Sequence, residues 1–230
     1  MVESIFKHIE AAMPDFKARP QQVAMSQFIA ECMRREEHYR MAVVEAPTGV
    51  GKTLAYLAGA IDIALENKKT LVISTATVNL QQQLLHKDLP QFVQATGKQL
   101  KVVQIKGRRR YMCPSKLINV VSAANQHELS LDVDSKYQQA KRYAAAEKLH
   151  QQWDKGIWDG DRDSRTDAIE PLLWHEISTD SEGCAGKSCS KYHRCPYYLV
   201  RREMATANVV IANHDLVLSD ADLGGGLVLP

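Results

Sequence analysis

A glycine-rich loop that ends in Gly-Lys-Thr is the clearest chemical signal in the sequence. It reads EAPTGVGKT over residues 45–53. Glycines at 49 and 51 let the backbone turn its N–H groups around an anion, and a helix that begins just after them adds its positive end. Lys52 can reach outer phosphates, and the Thr53 hydroxyl can bind Mg²⁺. The residues that we expect to hold nucleotide phosphates with Mg²⁺ are Ala46, Pro47, Thr48, Gly49, Val50, Gly51, Lys52 and Thr53.

Position 46 departs from the strict phosphate-loop pattern, which has glycine where this chain has alanine. The resulting form, A-x-T-G-x-G-K-T, is common in helicase-type ATPases. The alternative interpretation is an ordinary glycine-rich turn between a strand and a helix, with Lys52 exposed to solvent. The position of the loop after an apolar run and before a helical pattern favours the phosphate site, because parallel sheets bind ligands at the carboxyl ends of their strands.

Polar side chains on both sides of the loop are further candidates for nucleotide or nucleic-acid contacts. The amide of Gln22 can donate and accept, so it can read an adenine edge while Arg19 holds the loop. Its alternative role is that of a solvated residue at a helix start, but its position about thirty residues before the loop favours the nucleotide. Hydroxyls and amides at 74–77 and 80–83 suit sugar and phosphate contacts, or equally the capping of a helix.

Four of the five cysteines have a spacing that suggests ligation. Cys113, Cys184, Cys189 and Cys195 give C-x70-C-x4-C-x5-C. Structural zinc sites usually have two C-x2-C pairs, whereas a cubane iron–sulfur cluster needs four thiolates and tolerates wider loops, so we expect a cluster and keep zinc as the alternative. His193 is a competing ligand or, as we prefer, a bystander. We expect Cys32 to be a buried packing residue.

Two basic, aromatic segments accompany these cysteines. Residues 101–116 contain six cations and no acid, and residues 187–202 mix basic residues with three tyrosines. Such segments suit a nucleic-acid backbone with a base stacked on an aromatic ring, although each alone could be a solvated basic loop. Ligation by all four cysteines would bring the two segments together. The predicted DNA contacts are Arg108, Arg109, Arg110, Tyr111, Lys191, Tyr192 and Arg194.

Composition limits the class of protein without identifying a partner. The chain has 230 residues, 45% of them hydrophobic, which is enough for one large or two small domains. Its formal net charge is only +2, so electrostatic arguments must be local. No run approaches the roughly 18 apolar residues of a membrane helix, and the N-terminus lacks signal-peptide architecture. We therefore expect a cytoplasmic protein with no membrane partner, in which disulfides are disfavoured.

The elements that must position the loop form a strand–helix–strand pattern. We predict strands at Met41–Val44 and Thr70–Ser74 with a helix over Lys52–Leu65 between them, which implies a parallel sheet. Val102–Ile105 and Val209–Ala212 are further strand candidates. The intervening residues, with most of the cysteines and all three tryptophans, read as an insertion that contains a helix over residues 136–153. The fold class is thus α/β.

Together these pieces resemble one family, the DinG-type DNA helicases, which are bacterial relatives of the XPD-like superfamily 2 helicases with a [4Fe-4S] cluster. The resemblance covers essentially the whole chain. Its motifs are EAPTGVGKT at 45–53, STATVNLQQQ at 74–83, GRRRYMCP at 107–114, the C-x4-C-x5-CP group at 184–196 and RREMATANVVIANHDLVLSD at 201–220.

The resemblance implies that Lys52, Thr53 and the loop glycines bind ATP and Mg²⁺, that Gln22 reads adenine and that the four cysteines hold the cluster. It implies a monomer that moves 5′ to 3′ on single-stranded DNA and unwinds forks, displacement loops and RNA–DNA hybrids in repair or replication. The fold implied is an incomplete RecA-like P-loop domain over 1–106 and 203–230, with a mostly helical iron–sulfur insertion over 107–202 that contacts DNA.

One departure from the family limits what this chain can do alone. The Asp-Glu-x-His motif, whose acids hold Mg²⁺ and activate water, is absent, and so is a second RecA-like domain. We expect no catalytic acid in these residues and little hydrolysis by them alone. The alternatives are a non-enzymatic, zinc-stabilised nucleic-acid-binding module with a vestigial P-loop, and a nuclease or DNA-repair scaffold, although no carboxylate cluster of nuclease type is visible.

Overall fold

The computed structural model describes residues 2–36, 40–124 and 133–230. The chain divides into two compact units. The loop unit comprises Met1–Ile105 and Met204–Pro230, and the cysteine unit comprises Lys106–Glu203. No helix in the described residues is long and apolar enough to cross a membrane.

The loop unit surrounds a small parallel sheet with helices. Its strands are β1 (Leu71–Thr75), β2 (Val102–Gln104) and β3 (Val209–Asn213). Its helices are α1 (Val2–Ala12), α2 (Pro20–Arg34), α3 (Lys52–Glu66), α4 (Val78–Gln83), a π-helical turn (Leu84–Asp88), α5 (Leu89–Thr96) and α10 (His214–Asp222).

The order of the sheet is β1-β3-β2, with both neighbours parallel to β3. On one side of β3, Leu71 of β1 pairs with Val209, and on the other side Val102 of β2 pairs with the same residue. The first four residues of β3 are fully buried, because the central strand of a parallel sheet is covered on both faces. The predicted strands at 70–74, 102–105 and 209–212 are therefore confirmed, and so is the parallel arrangement.

The predicted strand at Met41–Val44 is wrong. Residues 40–47, all within the described part of the chain, contain no strand. The side chains of Met41 and Val43 are 83% and 81% exposed. A short apolar run becomes a strand only where a neighbouring strand supplies hydrogen-bond partners, and the three described strands pair with one another instead.

The core of the loop unit explains how α3 is fixed behind the loop. Apolar side chains of α1, α3, α5 and β3 meet in one cluster, whose most buried members are Ile9, Leu57, Ile61, Phe92, Val209 and Ile211. Helix α2 approaches α3 closely at Gly59, where an added Cβ would lie 2.6 Å from the carbonyl oxygen of Ser26. The Ser26 hydroxyl donates to the carbonyls of Gln22 and Ala55 at 2.9 and 2.8 Å, which joins the two helices.

The cysteine unit is mostly helical. It contains α6 (Pro114–Ala124), α7 (Val133–Asp154), α8 (Pro171–Ile177), α9 (Pro196–Met204) and short 3-10 turns at Arg108–Arg110, Arg162–Ser164, Gly186–Ser188 and Tyr192–Arg194. The predicted helix at 136–153 is confirmed. All three tryptophans join its core, together with Met112, Leu117, Leu149, Leu173 and Ile177.

A buried carboxylate organises the segment after α10. Asp220 accepts backbone N–H bonds from Val228 at 2.6 Å, Gly226 at 3.0 Å, Leu229 at 3.2 Å and Leu227 at 2.9 Å. These bonds lower the pKa of Asp220. Because this pKa is lower in the folded chain than the unfolded value of about 3.9, the ionised carboxylate stabilises the fold above that pH. This contribution is lost as the pH falls through the lowered pKa.

We expect Asp220→Asn to lower the thermal unfolding midpoint of the chain at neutral pH. We also expect the midpoint to fall less below about pH 4 than it does in the wild type. The asparagine retains one acceptor oxygen but has no charge to titrate. Thermal unfolding followed by circular dichroism from pH 2.5 to 7 measures both effects. An unchanged acid slope would contradict the assignment.

Candidate functional site

The glycine-rich loop has the backbone conformation that its glycines predict. Gly49 and Gly51 have φ angles of +84° and +85°, in the left-handed region that favours glycine. Helix α3 begins at Lys52, directly after Gly51. The first-turn N–H groups of α3 therefore face the loop without a capping side chain, which is the arrangement that binds anions at a helix N-terminus.

Three side chains hold the carbonyl oxygens of this loop. The Lys52 ammonium donates to Ala46 at 2.8 Å and to Pro47 at 3.0 Å. The Arg19 guanidinium donates to Gly49. The Gln22 amide nitrogen donates to Gly51 at 3.0 Å. Lys52 is thus bonded within its own loop.

Thr53, the predicted Mg²⁺ ligand, lies in the first turn of α3. Its side chain is hydrogen-bonded to the phenol of Tyr56. Burial raises the pKa of Tyr56 to about 12, so the phenol is neutral at physiological pH. The Thr53 hydroxyl is half-buried beside the loop, where it can also turn toward a metal ion.

Polar side chains meet at the carboxyl ends of β1 and β3. Ser74 Oγ lies 2.6 Å from His214 Nδ1. Thr77 accepts from the Leu80 N–H at the start of α4, and Asn213 caps α10 through Leu216. The capping alternative for this motif is therefore confirmed at Thr77, and His214 links the two strand ends.

The four predicted cysteine ligands line one cavity of the cysteine unit, with a volume of about 130 Å³. Cys113 lies just before α6, and Cys195 lies just before α9. Cys184 and Cys189 flank the short turn at Gly186–Ser188. All five cysteines are free thiols. Cys32 is buried in α2, as its packing role predicts.

Polar groups surround the sulfur atoms. Arg108 Nη1 donates to Cys184 Sγ at 3.0 Å, and Ser115 Oγ lies 3.4 Å from Cys189 Sγ. The hydrogen bond from Ser115 lowers the pKa of Cys189, whereas burial raises the pKa of Cys195. The buried Thr179 hydroxyl, also in the cavity wall, lacks a hydrogen-bond partner among the described residues.

The lining of this cavity fits an iron–sulfur group in the chemistry of its donors, but the described side chains are not arranged as a metal site. Four thiols converge on one cavity, and an orphaned hydroxyl and a guanidinium adjoin it. Cluster and cysteine sulfurs accept such hydrogen bonds. Among residues 2–36, 40–124 and 133–230, no group of three or more His, Cys, Asp or Glu side chains has the geometry that could hold a metal ion.

The predicted DNA contacts differ widely in exposure. Arg109 is 77% exposed and forms an ion pair with Asp180, and Arg194 pairs with Asp154. Arg110 pairs with Asp163.

Arg108 and Tyr111 face inward instead. The Arg108 guanidinium lies 4.0 Å from the Tyr197 ring centroid. Tyr111 is 3% exposed, so its ring has no free face for a base. Tyr192 is half-buried against Tyr198, with 4.4 Å between ring centroids, and Lys191 is half-buried beside it.

An acidic loop that our sequence analysis did not assign positions the basic segment. Lys106, which is buried, forms ion pairs with Asp161 and, at 3.2 Å, with Asp163. The indole N–H of Trp158 donates to the Asp161 carbonyl at 2.8 Å. The signal that could have found this loop is its charge, because WDGDRDS contains three aspartates whereas residues 101–116 contain six cations and no acid.

Close packing at Gly160 fixes the loop that carries Cys195. Gly160 has a φ angle of +85°, and an added Cβ would lie 2.3 Å from Pro196 Cγ. Its carbonyl accepts the N–H of Met112 at 2.8 Å, next to Cys113. We expect Gly160→Ala to lower the unfolding free energy of the chain by about 2–4 kcal/mol, from overpacking and backbone strain.

Chemical denaturation followed by tryptophan fluorescence measures this loss, because all three tryptophans are in the cysteine unit. Gly107→Ala is the matched control, since Gly107 has an ordinary φ of −58° and open space around it. Equal stability of the two variants would contradict the packing role.

Comparisons with known proteins identify the family of this chain. The family model of the DEAD/DEAH box helicases matches residues 19–146, which are more than half of the chain and include the entire loop. The chain belongs to the DEAD/DEAH box helicase family.

Curated DNA helicases are similar over almost all of the chain. The ATP-dependent DNA helicase DinG of Escherichia coli is 40% identical over 220 residues, which cover 93% of this chain and 30% of that protein. The Photobacterium profundum protein of the same name is 37% identical over 231 residues, which cover all of this chain and 33% of that protein. The chain thus spans about a third of the length of these relatives.

Proposed function

We propose that this chain is part of an ATP-dependent DNA helicase of the DinG type. It supplies the nucleotide loop at residues 46–53 and a cysteine unit that holds a [4Fe-4S] cluster and contacts DNA. We further propose 5′ to 3′ unwinding of forks, displacement loops and RNA–DNA hybrids by a cytoplasmic monomer. The observation that carries the proposal is one chain with both an anion-binding loop before α3 and four thiols on a single cavity.

In the loop, each residue has a distinct proposed role. The backbone N–H groups that follow Gly49 and Gly51 hold the β- and γ-phosphates. Lys52 moves from the carbonyls of Ala46 and Pro47 to the outer phosphates, where its charge offsets the charge that develops during transfer. Thr53 binds Mg²⁺ through its hydroxyl.

In the cysteine unit, Cys113, Cys184, Cys189 and Cys195 would hold the cluster through their thiolates. The cluster would join segments distant in sequence and thereby stabilise the fold of the unit. Arg108 and Ser115 donate to cysteine sulfurs, and Arg108 also orients Tyr197 and Tyr198. These residues therefore position the ligands.

The DNA contacts that we propose are the exposed Arg109 and Arg194 and the half-buried Lys191 and Tyr192. Arg109 and Arg194 are exposed and form only surface ion pairs, which contribute about 0–1 kcal/mol and exchange readily for phosphate. Lys191 and Tyr192 lie two or three residues before Arg194, and Tyr192 is on the same 3-10 turn as Arg194. Because phosphate contacts release counterions, DNA binding by the chain should weaken steeply with salt.

An unwinding assay tests the proposed activity. The complete gene product, prepared anaerobically, is mixed with duplexes that carry either a 5′ or a 3′ single-stranded tail. We expect ATP-dependent unwinding of the 5′-tailed duplex only. Absence of ATP-dependent unwinding with both tails, together with one zinc ion per chain, would instead favour a zinc-stabilised binding module.

A further inference from the structure

Two exposed arginines of the cysteine unit are each paired with an aspartate. Arg109 Nη2 lies 2.9 Å from Asp180 Oδ2, and Arg194 Nη2 lies 3.0 Å from Asp154 Oδ1. The exposed fractions of these four side chains range from 42% to 77%. A carboxylate and a DNA phosphate are alternative partners for one guanidinium, because both are anions that accept its N–H groups.

We propose that Asp180 and Asp154 compete with DNA for these arginines and so set the affinity of the cysteine unit for a phosphodiester backbone. In the free chain each aspartate occupies the guanidinium of its arginine, and on binding a phosphate takes its place. The inference rests on the proposed DNA contacts. It deepens that proposal, because it adds two acids to a surface that was predicted from its basic and aromatic residues.

Asp180 has a second hydrogen bond that does not depend on its arginine. Its Oδ1 accepts the N–H of Gly183 at 2.8 Å, while its Oδ2 accepts from Arg109. These two contacts lower the pKa of Asp180, so the carboxylate is charged at neutral pH. Because the bond to Gly183 remains when a phosphate takes the guanidinium, the carboxylate stays close enough to recapture Arg109.

Arg194 has a second contact that does not depend on its aspartate. Its guanidinium carbon lies 4.5 Å from the centroid of the Trp153 ring, and Asp154 follows Trp153 as the last residue of α7. A guanidinium over an aromatic ring keeps its N–H edges available for anions. Arg194 can therefore exchange the carboxylate for a phosphate while it remains on the ring.

A third arginine shows the opposite arrangement. Arg110 bonds to Asp163 through both Nε, at 3.0 Å, and Nη2. The Asp163 side chain is only 17% exposed and also lies 3.2 Å from the buried Lys106 ammonium. Because Asp163 is shielded from water, breaking its pairs costs more than breaking an exposed pair. The exchange is thus confined to Arg109 and Arg194, although Arg110 is the next residue in the sequence.

The effect of each aspartate follows from the strength of an exposed ion pair. Replacement of one competing carboxylate by an amide should tighten DNA binding by roughly two- to fivefold. Asparagine keeps an oxygen that can accept the Gly183 N–H and loses the charge. Because the number of phosphates contacted stays the same, the slope of log affinity against log salt concentration should not change.

The experiment measures binding of a fluorescein-labelled oligothymidylate to the anaerobically prepared 230-residue chain by fluorescence anisotropy over a series of salt concentrations. The variants are Asp180→Asn and Asp154→Asn. Asp167→Asn is the matched control, because it removes the same charge from the same unit. Asp167 pairs at 2.5 Å with Arg165, whose side chain is 8% exposed and is not a predicted DNA contact. We expect both variants to bind more tightly, and the control to bind as the wild type does.

A double-mutant cycle separates competition from a general effect of net charge. In an Arg109→Ala background Asp180 has no guanidinium to occupy, so Asp180→Asn should no longer tighten binding. The same cycle with Arg194→Ala tests Asp154→Asn.

Equal tightening by Asp167→Asn, or a gain from Asp180→Asn that persists without Arg109, would overturn the inference. Unchanged affinity in both aspartate variants would also overturn it and would leave the proposed DNA contacts intact. A wild-type chain that does not bind the oligonucleotide at low salt would overturn those contacts, and the inference with them.

Discussion

Lys52→Ala should lower ATP hydrolysis by the complete gene product at least about 100-fold, as expected when a charged group that stabilises the transition state is removed. The ammonium is exposed, and among the described residues it donates to two loop carbonyls, so it can move to phosphate. Its loss removes the one side-chain cation of the loop itself. Unwinding should disappear with hydrolysis, because translocation depends on it.

Binding of single-stranded DNA should largely survive the same substitution. The proposed DNA contacts belong to the cysteine unit, and Lys52 belongs to the loop unit. Steady-state phosphate release and fluorescence anisotropy measure the two properties separately. Lys7→Ala, an exposed lysine on α1, is the control and should leave both unchanged. Hydrolysis within tenfold of wild type in Lys52→Ala would contradict the role of this lysine.

Substitution of a cluster ligand should have the second large effect. We expect Cys195→Ala to abolish the visible absorbance of the anaerobically prepared chain and to destabilise the cysteine unit by several kcal/mol, because ligation contributes directly to folding. Cys195, a proposed ligand, lies just before α9, and Pro196 packs against Gly160, so loss of the thiolate would release a packed segment.

Cys32→Ala is the control for this experiment. Cys32 is a buried thiol of α2 in the loop unit, outside the cavity that the other four line. Its substitution should leave iron content and absorbance unchanged. Retention of full iron and sulfide by Cys195→Ala, or an equal loss in Cys32→Ala, would contradict the assignment of the four ligands.

Local pattern was sufficient for α3, for the helix predicted at 136–153 and for three strands. The β-branched run at 209–212 predicts a strand because it is apolar throughout, and the structure buries it on both faces. Lys52–Leu65 predicts α3 within one residue at its C-terminal end. Met41–Val44 has the same local character, yet it is not a strand. The difference lies in neighbouring strands, which a local pattern does not contain.

The candidate site was also predictable only in part. Spacing predicted that Cys113 would join three cysteines about seventy residues later, and all four line one cavity. The direction of the neighbouring side chains was not predictable. Arg108, Arg109 and Arg110 are consecutive, but the first contacts a cysteine sulfur, the second is exposed and the third pairs with Asp163. Because a 3-10 helix has about three residues per turn, these three adjacent side chains point in different directions.

The most direct test of the central claim is the metal and sulfide content of the 230-residue chain after anaerobic purification. A [4Fe-4S] cluster held by Cys113, Cys184, Cys189 and Cys195 predicts about four iron and four sulfide per chain, with a broad visible absorbance. One zinc ion per chain without iron or sulfide would contradict the account of the cysteine unit.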